Sequence, residues 1–191
     1  MILTFKKALE LTDTISTRAA YQIDALKGLW LAASALPRRA LIVEIGLQYG
    51  RSSSLLLQVA RERDLRYVGI DPFNEGTPLP DKGEPLPRWL EMAAKVGHPF
   101  TLCVGTSQDY AGHRGGQDIG LLHIDGDHDE NSVTQDLCWW IARLMTDAVI
   151  CFHDYDGPVT PGVKIVADSF CKMEYWERVG VYGTLAVFRK P

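Results

Sequence analysis

The sequence lacks the features that mark several large classes of protein. It contains no run of about 18 apolar residues, so no membrane-spanning helix and no membrane partner are expected. Its lysines and arginines form no block and the net charge is −4, which argues against nucleic acid as a partner. Lys6 and Lys7 interrupt the apolar start of the chain, where a secretory signal would continue with apolar residues, so we expect no signal peptide.

Cysteine is scarce, and the four cysteines form no Cys-x-x-Cys pair that would indicate a redox motif or a zinc site. At least three of them stand in apolar surroundings, and we interpret all four as reduced core residues of a cytoplasmic protein: Cys103, Cys138, Cys151 and Cys171. The apolar fraction of 46% and the length of 191 residues suit one domain with a substantial core. A single domain over residues 1–191 is therefore predicted.

Short apolar runs alternate with segments of helical spacing along the chain. Residues 1–36 are predicted to form N-terminal helices that end before Pro37, and residues 131–145 carry an apolar helical face. An antiparallel hairpin is predicted around Gly183 near the end of the chain. Apolar runs predict five buried strands, at residues 40–46, 66–71, 100–106, 118–125 and 148–154. This alternation indicates an α/β fold with a parallel sheet.

The segment 72–88 differs in composition from the rest of the chain, because it contains five prolines and two glycines. Loops of this length are uncommon in compact domains and are often functional, so we interpret this one as a lid over a ligand site. By position alone, Trp89, Tyr155 and the N-terminal helices are hypothesised to line the pocket of the second substrate.

Acidic residues end three of the predicted strands: Asp71, Asp125 and Asp154. A fourth strand, which carries Glu44, runs into a glycine turn that begins at Gly46. Ligands of parallel α/β sheets bind at the carboxyl ends of the strands, so a site is predicted at this edge of the sheet.

The glycine turn reads Gly-x-x-x-Gly, from Gly46 to Gly50, and is followed by a predicted helix. It departs from the dinucleotide fingerprint Gly-x-Gly-x-x-Gly, because neither Leu47 nor Gln48 is a glycine. Glu44 before the turn would also repel a pyrophosphate. Asp71 is placed to bind both hydroxyls of a ribose, and its alternative role is that of a turn or helix-capping residue. For the glycine loop, the alternative is a purely structural turn between strand and helix.

Asp125 and Asp154 are expected at the ends of adjacent parallel strands, about 4.8 Å apart. Two carboxylates at that separation repel each other, and a shared divalent cation would relieve the repulsion. The alternative is that both are ordinary strand-end residues in turns, with His153 a core histidine.

The segments "VEIGLQYGRSS", "YVGID", "LLHIDGDH" and "VICFHDY", in this order, resemble class I S-adenosylmethionine-dependent methyltransferases. Within that class the chain is similar to the small metal-dependent O-methyltransferases, which include catechol-type enzymes and macrolide, sugar and cephalosporin-pathway relatives. The resemblance spans residues 40–191. It implies an α/β, Rossmann-like three-layer sandwich with a seven-stranded, mostly parallel sheet of order 3-2-1-4-5-7-6, in which strand 7 is antiparallel, and with extra N-terminal helices.

The resemblance also assigns roles to individual residues. Glu44 would lie near the methionine amine of S-adenosylmethionine, Ser52 near its carboxylate and Asp71 at its ribose. Ser107 or Gln108 would contact the adenine, with the register of Asp109 left open. The full set of cofactor residues predicted in this way is Glu44, Gly46, Gly50, Ser52, Asp71, Ser107, Gln108 and Asp125.

The resemblance implies a metal site and a general base as well. Asp125 and Asp154 would bind the cation, and His153 stands where relatives carry a third ligand; it would either bind the cation or orient a ligand from behind. Mg²⁺ suits the carboxylates, and a histidine ligand would favour Mn²⁺ or another transition ion. His128 is at the offset of the general base. Asp127 is the rival base, a partner of His128 or a turn residue.

Asp129 and Glu130 are predicted to start the next helix, whose dipole favours acidic residues there. The predicted function is metal-dependent transfer of a methyl group from S-adenosylmethionine to a hydroxyl of a small molecule, such as a sugar or natural product. A nicotinamide-dependent oxidoreductase is one alternative, and a metal-independent or non-catalytic S-adenosylmethionine-binding protein is another. A homo-oligomer is left open.

Overall fold

The computed structural model describes residues 3–15, 22–74, 83–111, 116, 118–172 and 176–190, with nothing said of the Cys171 side chain. The helices are α1 (Phe5–Ile15), α2 (Ile23–Ser34), α3 (Arg51–Arg63), α4 (Pro85–Val96), α5 (Ser107–Ala111), α6 (Glu130–Trp140) and α7 (Pro161–Cys171), with a 3₁₀ turn at Ile141–Arg143. The strands are β1 (Leu41–Ile45), β2 (Arg66–Asp71), β3 (Thr101–Val104), β4 (Ile119–Ile124), β5 (Leu144–Phe152), β6 (Glu177–Tyr182) and β7 (Leu185–Arg189).

The seven strands form one sheet in the order β3-β2-β1-β4-β5-β7-β6. Strands β1 to β5 pair in parallel, and β7 is antiparallel to both β5 and β6. The central strands β1 and β4 are buried along their whole length, which explains their continuous apolar sequences. The predicted fold class, strand order and antiparallel strand 7 are confirmed.

Two apolar clusters cover the two faces of the sheet. One packs α1 to α4 against the sheet and includes Leu26, Leu55 and Trp89. The other packs α6 and α7 against the opposite face, where Phe152 and Phe188 meet edge-on with their ring centroids 5.7 Å apart. The result is a three-layer sandwich whose free edge, at the carboxyl ends of the parallel strands, is available for a site.

Several predicted boundaries need correction. The N-terminal helical region consists of two helices, α1 and α2, and residues 16–21 between them lie outside the described part. The predicted helix 131–145 ends at Trp140, and β5 begins at Leu144, four residues earlier than predicted. Leu144 continues the apolar helical spacing of α6 only by coincidence, since it is buried as the first residue of a strand.

The predicted lid segment 72–88 is shorter than expected, because α4 begins at Pro85. Residues 75–82 of this segment lie outside the described part, so the lid stays a prediction. Trp89 does not line a pocket: it is fully buried in the core, and its indole N–H donates to Ser53 Oγ at 2.9 Å. Tyr155 is also buried outside the cavity described below, and its hydroxyl donates to Asp168 Oδ1 at 2.6 Å.

Cys103 and Cys151 are free and buried, as predicted. Cys138 is also free, but it is exposed on α6, so its assignment to the core was wrong. Among the described helices, none is long and apolar enough to cross a membrane.

Candidate active site

A cavity of about 460 Å³ opens at the carboxyl ends of β1, β2, β4 and β5, within the usual size range of small-molecule sites. It brings together most of the residues predicted from the sequence: Gly46, Ser52, Asp71, Ser107, Gln108, Asp125, Asp127, His128, His153 and Asp154. Glu44 and Gly50 are not among its lining residues.

Gly46 allows two strand ends to pass close to each other. Its φ is +85°, and an added Cβ would lie 2.0 Å from the carbonyl oxygen of Asp125. The Asp125 amide in turn donates to the carbonyl of Ile45 at 2.8 Å. Only glycine fits this position, because a side chain would push β1 and β4 apart beneath the cavity.

Gly50 serves packing rather than the cavity. It precedes α3 with a φ of +79°, and an added Cβ would lie 2.5 Å from Met92 Cε and 2.9 Å from Trp89 Cδ1. The glycine therefore lets α4 pack against the start of α3, while the structure does not bring it to the predicted cofactor wall.

The carboxylate of Asp71 holds the loops on either side of it. One oxygen accepts hydrogen bonds from the Leu47 and Gln48 amides at 2.6 and 2.9 Å, and the other accepts from the Phe73 amide at 2.6 Å. These contacts match the turn role that was the alternative for this residue. Because Asp71 also lines the cavity, the predicted ribose contact stays a prediction.

Glu44 lies inside the protein and does not line the cavity, and its predicted contact with the methionine amine stays a prediction. Along β1 its side chain is on the face of Ile42, where it is fully buried. The Tyr67 hydroxyl donates to Glu44 Oε2, and His123 Nδ1 lies 3.2 Å from Oε1. Burial, and secondly the neighbouring carboxylate, raise the pKa of Tyr67 well above its usual range, so the hydroxyl keeps the proton that it donates.

Asp125, His128 and Asp154 converge on one side of the cavity. Each offers a donor atom, and these atoms lie within 4.8 Å of one another. His128 Nε2 is 3.1 Å from Asp154 Oδ2. This side chain, which the sequence suggested as a base, is therefore a member of the candidate metal group, and binding of the cation by His153 stays a prediction.

His153 lies behind the two carboxylates. Its Nδ1 is 3.0 Å from Asp125 Oδ1 and 3.2 Å from Asp154 Oδ2, and its Nε2 is 3.2 Å from Thr184 Oγ1. Burial disfavours the charged imidazole, but the two carboxylates outweigh it and raise the pKa of His153 to about 10. Of the two predicted roles, this position fits orientation from behind rather than direct binding.

The two histidines also act on Asp154. Hydrogen bonds from His128 and His153 hold the pKa of the Asp154 carboxyl well below its usual range. The hydrogen bond to Asp154 likewise raises the pKa of His128, although burial opposes it. The Asp154 backbone has a φ of +54°, and Thr160 Oγ1 donates to its carbonyl at 2.8 Å. Non-glycine residues in the left-handed conformation are often found at functional sites.

The loop after Asp125 ends in a well-capped helix. Asp129 caps α6 by accepting from the Asn131 and Ser132 amides, so the predicted helix start at Asp129 and Glu130 is confirmed. Asp127 lines the cavity but accepts from the His128 amide at 2.8 Å through one oxygen. Its contacts are those of a turn residue, and its proposed role as a base stays untested.

The wall formed by α5 and α6 includes residues that the sequence did not reveal. Ser107 donates to the Asp136 carboxylate, and Gln108 contacts Gln135. Burial raises the pKa of Asp136 to about 6. Asp136 lies within α6 and not at a strand end or a glycine turn, so none of the motifs in the sequence includes it. The Asp109 carboxylate instead accepts hydrogen bonds from the Thr106 amide at 2.9 Å and from Thr106 Oγ1 at 2.6 Å, just before α5.

Arg51 is a charged lining residue that the sequence analysis did not single out. It is the first residue of α3, and its side chain is only 8% exposed. Its Nη2 donates to Asp13 Oδ1 of α1 at 2.7 Å. The signal that could have found it is its place in the Gly-x-x-x-Gly-Arg-Ser segment, directly at the start of the helix.

Comparison with known proteins adds three findings. A family model described as "Methyltransferase domain" matches residues 43–155. The uncharacterized protein y4gI of Sinorhizobium fredii is 27% identical over 159 residues, which are 78% of this chain; the chain spans 16% of that relative's length. Two crystal structures share the fold at low sequence identity.

The first of these structures is cofactor-bound Rv0187 from MTB, with a TM-score of 0.71 and 19% identity over 97% of this chain and 88% of that one. The second is the O-methyltransferase TomG from Streptomyces achromogenes, involved in tomaymycin synthesis, in complex with SAM. Its TM-score is 0.68, with 17% identity over 97% of this chain and 88% of that one.

Proposed function

The chain belongs to the Methyltransferase domain family, and on that premise we propose that it transfers a methyl group from S-adenosylmethionine to a hydroxyl of a small molecule, with the help of a divalent cation. The observation that carries the proposal is the convergence of Asp125, His128 and Asp154 on a cavity that the Gly46 loop also lines. The site thus joins a candidate metal group to the loop at which nucleoside ligands bind in such sheets.

The donor set fits a divalent cation. Two carboxylates and one imidazole, all partly exposed at the cavity, are ligands that Mn²⁺, Fe²⁺ or Zn²⁺ accepts and that Mg²⁺ accepts less readily. When bound, such a cation would polarise the acceptor hydroxyl and lower its pKa. His153 would keep the ligands Asp125 and Asp154 oriented from behind.

Methyl transfer requires the acceptor oxygen to attack the methyl carbon opposite the sulfur. The carbon–sulfur bond breaks, its electron pair remains on sulfur, and S-adenosylhomocysteine is released. The hydroxyl proton goes to His128 or, where His128 is occupied as a ligand, to Asp127. The remaining task of the chain is to hold donor and acceptor in line, since close alignment supplies much of the rate in such reactions.

The donor and acceptor parts of the proposal have separate support. Ser52, Asp71, Ser107 and Gln108 line the cavity where the nucleoside would lie. TomG, which shares the fold, is a SAM-bound O-methyltransferase of natural-product synthesis. We therefore propose a hydroxylated natural product or sugar as the acceptor.

Metal-independent methyl transfer is a second candidate, and one observation favours it. His153 contacts both carboxylates, and with a pKa of about 10 it is an imidazolium at neutral pH. The pair Asp125 and Asp154 therefore already has a positive neighbour. In that case His128, hydrogen-bonded to Asp154, would act as the base alone.

The two candidates are separated by incubating the protein with methyl-labelled S-adenosylmethionine and a panel of hydroxylated acceptors, with Mn²⁺, with Mg²⁺ and with a chelator. The proposal expects transfer that a chelator abolishes and that Mn²⁺ restores. Transfer that survives complete chelation would establish the metal-independent candidate instead. Failure to bind S-adenosylhomocysteine, together with binding of NAD(H), would contradict both.

Asp154→Asn is the matching variant, and Asp156→Asn is its control, because Asp156 pairs with Lys164 and does not line the cavity. Asp154→Asn is expected to weaken Mn²⁺ binding by roughly 100-fold or more. Titration of Mn²⁺ into each protein measures this directly and needs no acceptor. Equal Mn²⁺ affinity of the two variants would contradict the proposed metal group.

A further inference from the structure

We propose that Thr184, in the turn between β6 and β7, is a positioning residue of the site, whose hydroxyl holds the His153 ring with Nδ1 facing the two carboxylates. The inference rests on the proposed function, in which Asp125 and Asp154 bind a divalent cation. The sequence predicted a hairpin around Gly183 but assigned this turn no part in the site.

The terminal hairpin brings Thr184 opposite Asp154. Strand β7 pairs with β5 in an antiparallel register that places Ala186 opposite Phe152. Thr184 stands two residues before Ala186, and Asp154 stands two residues after Phe152, so the same register sets them face to face. Both lie just beyond the ends of their strands, where side-chain contacts and not the regular ladder fix the geometry.

Thr184 contacts both chain neighbours of Asp154. Its carbonyl accepts a hydrogen bond from the Tyr155 amide at 2.9 Å, and its Oγ1 lies 3.2 Å from His153 Nε2. Two residues, Asp154 and Tyr155, therefore oppose one residue of the hairpin, as in a β-bulge. Bulges redirect side chains and are common next to active sites. Here the redirected residue is Asp154, with its φ of +54° and its place in the cavity wall.

The Thr184 hydroxyl also favours one orientation of the His153 ring. In that orientation Nδ1 lies 3.0 Å from Asp125 Oδ1 and 3.2 Å from Asp154 Oδ2, while Nε2 points to Thr184. A half-turn of the ring about its Cβ–Cγ bond would put carbon atoms in place of both nitrogens and lose these contacts. His153 is only 8% exposed, which leaves little access for water to replace them. A hydroxyl can donate or accept, so it serves Nε2 whether or not that nitrogen carries a proton.

The proposal is tested by calorimetric titration of Mn²⁺, which needs no acceptor. Thr184→Val removes the hydroxyl but keeps the branched shape of the side chain, and it is expected to weaken Mn²⁺ binding by roughly 10- to 100-fold, the range for residues that orient metal ligands. Thr184→Ser keeps the hydroxyl and should stay within about threefold of the wild type. Thr101→Val is the control, because Thr101 is exposed at the start of β3 and does not line the cavity.

Two further measurements test whether Thr184 acts through His153 and not through stability alone. In a His153→Ala background, which removes the ring, Thr184→Val should not weaken Mn²⁺ binding any further. In nitrogen NMR spectra of the histidine rings of the metal-free protein, Thr184→Val should shift the His153 Nε2 resonance. The resonances of His98, whose Nε2 lies 3.1 Å from the Leu65 carbonyl, should not move.

Unchanged Mn²⁺ affinity in Thr184→Val would overturn the proposal, and so would an equal loss in Thr184→Ser, because the hydroxyl would then not be the group that matters. An equal further loss in the His153→Ala background, or an unmoved His153 Nε2 resonance, would overturn it as well. If His153→Ala does not fold, the serine variant and the NMR comparison still decide. If the wild type bound no Mn²⁺, the metal part of the proposed function would fail, and the His153 resonance alone would decide whether Thr184 holds the ring.

Discussion

The buried pair of Glu44 and Tyr67 allows a sharp test of where Glu44 acts. The Tyr67 hydroxyl donates to the Glu44 carboxylate, and both side chains are buried in the cluster under α1 to α4. Tyr67→Phe removes the hydroxyl and leaves the carboxylate beside His123, whose Nδ1 is 3.2 Å from Glu44 Oε1. Since Glu44 does not line the cavity, this loss should act on stability and leave ligand binding intact.

The expected magnitude follows from the burial. Removing one partner from a buried, charged acceptor costs about 1–3 kcal/mol in the free energy of unfolding. A change near 2 kcal/mol lowers Tm by roughly 4–8 °C in a protein of this length. Urea unfolding followed by tryptophan fluorescence measures the first quantity, and calorimetric titration with S-adenosylhomocysteine measures binding by the folded variant.

Tyr110→Phe is the matched control, because the Tyr110 hydroxyl donates to the Val104 carbonyl at an exposed position. It should change the free energy of unfolding by less than about 0.5 kcal/mol. The reasoning would be refuted if Tyr67→Phe left the free energy of unfolding unchanged but weakened S-adenosylhomocysteine binding. Glu44 would then face the ligand, as the sequence first suggested.

Two further predictions concern the cavity wall. Gly46→Ala should lower the free energy of unfolding by roughly 3 kcal/mol or more, because its methyl group would collide with the Asp125 carbonyl. Gly116 also has a positive φ but nothing within 4 Å of an added Cβ, so Gly116→Ala should lose only the about 1–2 kcal/mol that a left-handed backbone costs alanine. Similar urea midpoints for the two variants would contradict the collision. Burial raises the pKa of Asp136 to about 6 in the folded protein, so the free energy of unfolding of the wild type should fall as pH rises from about 4 to 6. Asp136→Asn does not titrate, so its stability relative to wild type should increase by up to roughly 2–3 kcal/mol as pH rises over that range. An equal difference between the two urea unfolding curves at pH 4.5 and at pH 7.5 would refute this.

The position of the site could be predicted because it depends on topology alone. Parallel strands that end in Asp71, Asp125 and Asp154 must bring those residues to one edge, and all three line one cavity. The structure confirms the strand order of the resembled class, and the family match confirms that the chain belongs to a methyltransferase family. These results depend on continuous apolar runs of strand length and on short motifs, which are strong signals in a sequence.

The positions of the two histidines relative to the carboxylates could not be predicted, because they depend on one backbone angle. Regular alternation along β5 would turn His153 and Asp154 to opposite faces of the sheet. The left-handed conformation of Asp154, with a φ of +54°, ends that alternation, so that His153 contacts Asp154 as well as Asp125. His128 then takes the cavity side of the same carboxylate. The sequence "VICFHDY" does not by itself predict a left-handed residue at Asp154.

The charges of the cavity indicate which of its carboxylates would bind the cation of the proposed function. Of the five lining aspartates, Asp71 accepts three backbone amides and Asp127 accepts the amide that follows it. Asp136 has its pKa raised toward neutrality, which reduces its charge. Asp125 and Asp154 remain as the pair held together by imidazoles, and either His153 alone or His153 with a divalent cation must balance them. The requirement for metal therefore depends on whether one imidazolium suffices for two carboxylates, which chelation measures directly.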